Sequence, residues 1–409
     1  MKNALSVAIA LATTSSAWGQ ATYTDTANPT STEQQILEII NRARANPAAE
    51  GARLAPALPG GDITEGLSNP SWVVRKPPLA MNAKLYAAAQ QHSTEMWTDV
   101  YFSHTGTGGS TPSSRATAAG YTGASMIGEN IAAGTGFTAT ELQDDLMIDQ
   151  GVSGRGHRVN LLDVFSPGVG PYREIGIFWY HGASPVPVPN SNPPPATINL
   201  QDFMTQDFGR RDAVGPFILG VVYDDSLGLT PNFYDTNEGL SGVMINTVDG
   251  SMTPTGAWRA VTGTAGGYSF PCSTIGTVNV KPTNGITWAA TVYKKVTLSG
   301  ENVKVDFKKS DGVDTDGDGM PDAWEVAHGF NPNGTFGDLT EANADADGDT
   351  YSNVEEFRFG SNPQVAGSTP LDPLGGGAGG GGGGGGGGCG LTGLEACLLL
   401  ALLRFRRRP

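Results

Sequence analysis

Cysteine is scarce: there are three in 409 residues, and two of them, Cys389 and Cys397, sit near the C-terminal end. A processed chain keeps only Cys272, so no intrachain disulfide is available and the fold must rest on its cores and any bound ion. Positive charge is scarce as well, with 25 Lys and Arg against 40 Asp and Glu and a net charge of −15. That sign repels nucleic acid and anionic lipid, which excludes both as electrostatically attracted partners. Only 16% of residues are charged and 38% are hydrophobic, which at this length suits two or three ordinary domains. The apolar run Leu391–Phe405 would reach about 22 Å as a helix, short of a hydrocarbon core of ~30 Å, and Glu395 interrupts it. H-E-x-x-H, G-x-S-x-G, a P-loop and a dinucleotide fingerprint are all missing, so serine hydrolases, ordinary zinc peptidases and nucleotide enzymes find no support.

Both ends read as targeting segments. Residues 1–19 have the positive start (Lys2), apolar run (Ala4–Thr13) and small-residue cleavage pattern (Ala17-Trp18-Gly19) of a secretory signal. Gly375–Gly388 is nearly pure glycine, a flexible linker without side chains to pack. After it come Cys389, the short apolar run and Arg404, Arg406, Arg407 and Arg408, which would stay cytoplasmic. The layout resembles bacterial Gly-rich, Cys-containing C-terminal sorting tails. That resemblance implies a transient membrane tether, cleavage by a dedicated sorting protease and Cys389 as the processing residue. The expected location is the bacterial cell envelope, cell surface or extracellular space.

Chemistry concentrates between Phe102 and Gly176. His104, Glu129 and His157 lie 25 and 28 residues apart, too far for a local motif, so only a fold can unite them. Two imidazoles and a carboxylate suit zinc or a similar divalent ion, with a position left for water. The wording around them is specific: EQQILEIINRARANP, PLAMNAKLYAAAQQHSTEMW, FSHTG, GENIA, GHRVNLL, REIGI and INLQDFMTQDFG follow in order from Glu33 to Gly209. Together these motifs resemble the CAP superfamily of cysteine-rich secretory, venom-antigen and pathogenesis-related proteins, in its bacterial form. The resemblance implies a three-layer α-β-α sandwich whose cleft holds two His and two acids around a metal ion. His104, Glu129 and His157 match three of those four. Asp149, Asp145 and Asp144 are the candidates for the fourth, and Asp149 is preferred. His92 lies in the apolar stripe of a helix and reads as a core histidine. His181 borders a Pro-rich loop and reads as a surface one.

Elements follow from caps and periodicity. Ser31-Thr32-Glu33-Gln34 is a capping-box pattern ahead of a helix that ends at Asn46-Pro47. A second helix starts near Asn82 and runs through Trp97, Leu142–Ile148 is a third, and Arg173–Tyr180 and Ile198–Phe208 are strands. Phe217–Phe307 changes to short β-type runs punctuated by Gly, Pro and Asn, which predicts a β-sandwich. Its stretch VVYDDSLGLTPNFYDTNEGLSGVMI resembles the B-type modules of Gram-positive adhesins, an immunoglobulin- or transthyretin-like sandwich. That likeness makes Asp224, Asp225, Asp235 and Glu238 oxygen donors for a loop ion, although solvated acidic turns are the ordinary case.

Asp314–Glu325 is the sharpest local motif. Carboxylates Asp314, Asp316, Asp318, Asp322 and Glu325 fall at positions 1, 3, 5, 9 and 12, with Gly319 at the tight turn and the Met320 carbonyl at position 7. Asp345–Glu356 repeats it with Asp345, Asp347, Asp349, Asn353 and Glu356, but with Thr350 where glycine is expected. Both loops can hold Ca²⁺, and they resemble the calcium-binding repeats of thrombospondin type 3 and bacterial surface proteins.

The expected chain is therefore multidomain: signal peptide 1–19, CAP domain 30–210, β-sandwich 216–308, calcium repeats 311–364, Gly-rich linker 365–388 and sorting tail 389–409. The leading expectation is a cell-surface protein that binds an extracellular lipid, peptide or glycan in a His/Glu cleft, with Zn²⁺ or another divalent ion there. A metal-dependent hydrolase, with Glu129 polarising a water held by His104 and His157, is the alternative. A purely structural His/Glu cluster without metal is the third.

Overall fold

The computed structural model describes residues 20–368, except 56, 166–169, 190–196, 228–229, 231–232, 252, 284–291 and 360. The expected leader at 1–19, nearly all of the Gly-rich linker and the tail with Cys389 lie outside the described residues. A two-residue strand, β1 (Ala21–Thr22), opens the structure, followed by helix α1 (Ser31–Ala45). Thr30 caps α1 by accepting from Glu33 N, and the Glu33 carboxylate returns to Thr30 N, so the capping box starts one residue before Ser31. Asn46 closes α1 and its side chain then caps α2 (Pro47–Arg53), a helix the sequence reading did not anticipate.

Next come β2 (Ala80–Met81), α3 (Ala83–Thr98), α4 (Pro112–Ala118), β3 (Met126–Gly134), α5 (Ala139–Ile148), α6 (Gly156–Leu161), β4 (Glu174–Pro189) and β5 (Thr197–Arg210). The Asn82 side chain caps α3 by accepting from Lys84 N and Leu85 N. The sheet order is β2-β4-β5-β3, with β2 parallel to β4 and the other pairs antiparallel. Strand β3 therefore has a free edge. One face of the sheet packs Ile175, Ile177, Met204 and Phe208 against Ile36, Ile40, Leu142 and Leu161 of α1, α5 and α6. The other face packs Ile131 and Phe203 against Met96 of α3, and Ile127 beside Leu85 and Ala116 of α3 and α4. This is a CAP-like α/β fold in three layers. The Pro-rich stretch from Ser184 lies partly in β4 and joins strands of one sheet, so it is a loop of this fold and not an interdomain linker.

Buried arginines tie loops to this core. Arg44 donates to Asp163 and to the carbonyls of Pro77 and Leu161. Arg158 donates to the carbonyls of Met147 and Ile148 at the end of α5 and to those of Ile63 and Glu65. Such ends satisfy α5's terminal carbonyls, which no intrahelical N–H can reach.

The β-rich segment has two sheets. Strands β6 (Phe217–Tyr223), β7 (Met244–Val248), β8 (Pro254–Val261), β9 (Gly267–Pro271), β10 (Gly276–Thr283), β11 (Lys294–Leu298), β12 (Val303–Lys304) and β13 (Phe307–Lys308) follow in order. One sheet runs β1-β8-β7-β10-β11, and in the other β6 pairs with β9, β12 and β13. Ile218, Phe270, Phe307, Ile245, Val280 and Leu298 from both sheets share one core. The segment docks directly on the α/β layers. Residues 21–28 act as a strap: β1 pairs with β8, the Asp25 carbonyl accepts from Ala83 N, and Asn28 Oδ1 accepts from Thr264 N at 2.7 Å. Lys304 adds an ion pair to Glu38 of α1 at 2.8 Å, and Arg42 lies over the Phe233 ring. Helices α7 (Asp322–His328) and α8 (Asn353–Phe359) complete the acidic loops, and α8 packs against β11. Among the described residues no helix is long and apolar enough to cross a membrane.

Gly176 shows how tightly α3 sits on β4. A Cβ there would meet the Leu85 carbonyl carbon and Tyr86 N at 2.1 Å, backbone atoms that cannot rotate away. Gly176→Ala is expected to destabilise the protein by about 1–3 kcal/mol, read from the midpoint of a denaturant melt. An unchanged midpoint would mean that α3 is not clamped to the sheet.

Candidate functional site

Two histidine–carboxylate pairs flank the free edge of β3. His104 Nδ1 lies 2.7 Å from Glu129 Oε1. Glu129 Oε2 accepts from the Arg115 guanidinium at 2.5 Å, and Arg115 also donates to the His104 carbonyl. Helix α4 exists in effect to deliver Arg115, which is almost fully buried beside an equally buried Glu129 side chain. Burial alone would push Glu129 up, but the His104 hydrogen bond and the charges of His92 and Arg115 outweigh it and hold Glu129 below the usual glutamate range. The glycine of GENIA is dictated by the same packing, since a Cβ at Gly128 would meet the Tyr172 hydroxyl at 2.1 Å.

The second pair is His157 with Asp149. Asp149 Oδ1 faces His157 Nδ1 at 2.7 Å, while Oδ2 accepts from His157 N at 2.9 Å and Arg158 N at 3.3 Å. Asp149 thus closes α5 in a left-handed conformation (φ 52°) and bonds the start of α6. Of the three acids left open by the sequence, Asp149 is the one on His157, whereas Asp144 is paired with Arg53 at the surface. Behind His157 a chain of amides fixes α6 to the sheet: Asn160 donates to Asn130 Oδ1, and Asn130 donates to the His157 carbonyl and to Gln206.

Glu129 and Asn130 are neighbours on one strand, so they face opposite sides of the sheet. Glu129 lies on the α3 face of β3, and Asn130, which donates to the His157 carbonyl, on the other. Each carboxylate is spent on an Nδ1, and among the described residues only the two Asp triplets of the acidic loops bring three such donors within 4.8 Å of one another. Carboxylates that hold Nδ1 fix the ring and its tautomer and leave Nε2 as the metal-binding or proton-accepting atom.

His92 is a core histidine, as expected: Nδ1 faces Glu95 and Nε2 the Ser103 carbonyl, both at 3.0 Å. His181 is exposed but held at Nδ1 by the buried Asp202 across the β4–β5 pair. Sequence reading missed Arg115 and Asp207. Asp207 stands opposite Glu129 in the β3–β5 register, is fully buried, and neither oxygen has a partner in hydrogen-bond geometry. Burial first, and then the Glu129 charge, push its carboxyl well above the usual aspartate range. The available signal was an acid inside the apolar run of INLQDFMTQDFG.

The acidic loops are preorganised alike. Asp314 accepts from Gly317 N and Gly319 N, and Asp345 from Gly348 N and Thr350 N. Donor atoms of Asp314, Asp316 and Asp318, and likewise of Asp345, Asp347 and Asp349, lie within 4.8 Å of one another. At position 9 of each loop, Asp322 accepts from Thr315 N at 2.7 Å and Asn353 from Ala346 N at 3.2 Å, so each clamps its loop. Met320 buries its side chain with Ala342, Val354 and Trp324. Glu325 is fully buried, and desolvation together with the charges of Asp318 and Asp316 pushes it up to about 8. Asp318 rises to about 6 and Glu356 to about 7 for the same reasons. In the β-segment, Asp224 pairs with Lys309, Asp225 with Ser310, and Asp235 accepts from Thr230 N.

Residues 74–173 match the profile of the cysteine-rich secretory protein family (CAP), and residues 314–333 that of the bacterial TSP3 repeat. Among solved structures, an extracellular protein containing a SCP domain from Bacillus anthracis str. Ames is similar at 26% identity with a TM-score of 0.23, over 33% of this chain and 34% of that one. This chain thus spans about a third of that structure's length. No functionally curated protein matches. The chain contains a CAP domain at residues 74–173 and a TSP3 repeat of the type that in general binds calcium.

The upward shift of Asp207 gives a signed pH effect. Asp207 has a raised folded pKa, so its contribution to stability is whole below its unfolded value of 3.8 and falls as pH rises above it. Asp207→Asn, which stays neutral, is expected to stabilise the protein at pH 7, with the gain fading as pH approaches 3.8. Denaturant melts across that window check it, and a pH-independent difference would show that Asp207 is ionised when folded. Thr350 repeats the Gly319 turn at φ 83° against 94°. Thr350→Gly should therefore stabilise the second loop by about 1 kcal/mol, seen as slower proteolysis at 345–356.

Proposed function

We propose that the chain is an exported CAP-domain protein whose cleft holds Zn²⁺ or another divalent ion between the Nε2 atoms of His104 and His157 and presents it to an extracellular lipid, peptide or glycan. One observation carries this reading: both imidazoles are held at Nδ1 by buried carboxylates, the arrangement that sets a histidine for metal binding. The donor set fits a borderline-soft dication. When bound, the ion would act as a Lewis acid toward an oxygen of the ligand. Arg115 holds Glu129, Glu129 and Asp149 hold the rings, and the amide chain through Asn130 holds α6. The first acidic loop, through Asp314, Asp316, Asp318, the Met320 carbonyl and Glu325, takes Ca²⁺.

The same observation weighs against a hydrolase. A general base must be able to take a proton from water, and Glu129 already serves Arg115 and His104 with a side chain that solvent barely touches.

Metal analysis of the purified chain tests the cleft. Zinc is expected to bind, His104→Ala and His157→Ala to abolish binding, and Asp149→Asn to weaken it ~10–100-fold. Equal zinc affinity in all four proteins would sink the reading. For the first loop, calcium at ~100 times its dissociation constant should add about 2.7 kcal/mol of stability, and Glu325→Gln should remove that gain.

A further inference from the structure

A cavity of about 450 Å³ lies where the strap at 21–28, the chain leaving β5 and the β-rich segment meet. That volume is in the range of small-molecule sites. We infer that it is a carbohydrate site, which takes one or two rings of an uncharged saccharide. It shares no residue with the histidine cleft and does not rest on the reading of that cleft.

The walls come from separate parts of the chain. The strap supplies Tyr23 and Asp25, Arg211 follows directly on β5, Trp258 stands on β8, and Ser273 and Thr274 follow β9. Arg211 is buried and rigidly held. Its Nε and Nη2 donate to the two oxygens of the buried Glu174 at 2.9 and 2.6 Å, and its guanidinium lies 4.7 Å from the centre of the Tyr121 ring. Nη1 carries two hydrogens. Its one partner among the described residues is Asp25 Oδ2 at 3.4 Å, an oxygen that Lys84 already holds at 2.8 Å. The other oxygen, Asp25 Oδ1, accepts no hydrogen bond among the described residues. The Tyr23 hydroxyl accepts from Arg211 Nη2 at 3.4 Å, and burial keeps its proton on. Spare donors on Arg211 and Tyr23 beside a spare acceptor on Asp25, all fixed beforehand, suit adjacent sugar hydroxyls, each of which donates and accepts.

Trp258 supplies the apolar partner. It is 38% exposed although it lines the cavity, and its ring meets Tyr23 edge to face at 5.7 Å, while Tyr23 in turn packs on Phe217 at 6.0 Å. The C–H face of a sugar ring is slightly positive and packs on the negative face of an aromatic ring. The charges of the walls cancel, since Asp25 pairs with Lys84 and Glu174 with Arg211. That balance gives no pull on a net anion or cation. A hydrocarbon chain would bury the Arg211 and Asp25 groups without satisfying them, which is costly. A neutral polyol meets both conditions. It would touch the strap, the chain after β5 and β8 at once, and so would staple the β-rich segment to the α/β layers.

The test uses the full chain, titrated with glucose, galactose, mannose and N-acetylglucosamine and with the dimers cellobiose and chitobiose. Calorimetry and tryptophan fluorescence report binding, and hydrogen exchange follows the strap at 21–28. At least one of these sugars is expected to bind with a dissociation constant of ~1 mM or below and to slow exchange in the strap. A dimer that binds more tightly than its monomer would mark a glycan chain as the source, and equal affinities a free sugar. Trp258→Ala should weaken binding at least ~10-fold, Trp258→Phe should restore most of it, and Asp25→Ala should weaken it as well. His104→Ala should bind as the wild type does. No response to any of these sugars up to ~50 mM, or equal affinity in wild type and Trp258→Ala, would overturn the proposal. Binding lost in His104→Ala and kept in Trp258→Ala would place the sugar in the histidine cleft and overturn this site alone. A response to glucuronate and to no neutral sugar would overturn the assignment of an uncharged ligand.

Discussion

Buried charge must be neutralised where it sits, and this constraint shapes the α/β fold around β3. Glu129 and Asp207 face each other across one strand pair, out of reach of water. Two ionised carboxylates there would cost several kcal/mol each. The fold answers with a guanidinium at Glu129, supplied by Arg115, while burial and the Glu129 charge push the Asp207 carboxyl well above its ordinary range. Local sequence follows from that answer. Gly106 must lack a side chain because a Cβ would meet Glu95 Oε1 at 2.2 Å and Arg115 Nη1 at 3.1 Å. The loop carrying His104 is pinned because its carbonyl receives Arg115. The histidine is aimed by the group that neutralises the charge.

The acidic loops pose the same problem and leave it unsolved from within. Glu325 and Glu356 are as buried as Glu129, yet no guanidinium or imidazole meets them, and both are pushed up, not down. Opposite directions for equally buried glutamates separate two kinds of site. The cleft carboxylate Glu129 meets its countercharge within the protein, in Arg115. In the loops no basic side chain among the ion pairs of the described residues meets Glu325 or Glu356.

Helices α1 and α3 were legible in the sequence from capping residues and apolar spacing, to within a residue, whereas α5 was legible only from Leu142 onward and its first turn, capped by Thr138, was not. The strand carrying GENIA was not, because β3 is an edge strand with Glu129 and Asn130 both buried, and its alternation of faces is hidden by polar residues that are paired internally. The histidines of the cleft, Glu129 and the preferred Asp149 could be named from the sequence, but which acid holds which ring, and the part of Arg115, could not. Asp149 acts through a left-handed helix end, and Arg115 through a short helix whose cap is Thr111. Such roles depend on which loop lies beside which strand, information that spacing along the chain does not contain. The acidic loops were legible almost residue by residue, because there the chemistry is local. Even so, the clamp role of Asp322 and Asn353 needed the backbone path.

With no disulfide among the described residues, the sheet edges still have to be protected, since an open edge strand invites pairing with another chain. The five-stranded sheet does this with segments from its distant sequence neighbours. At one side the strap β1, from the start of the described chain, covers β8. At the other, α8 packs against β11. The β-rich segment is thus a keystone and not a passive spacer: its edges are closed by the residues that lead into the CAP domain and by the helix that completes the second acidic loop. Because the strap that carries β1 also bonds the α/β layers through the Asp25 carbonyl and Ala83 N, loosening α8 would expose one edge while the other stays shut. Changes in the acidic module would therefore reach β11 and β10 before the cleft, and the histidine pairs at β3 would keep their geometry whatever the state of the loops.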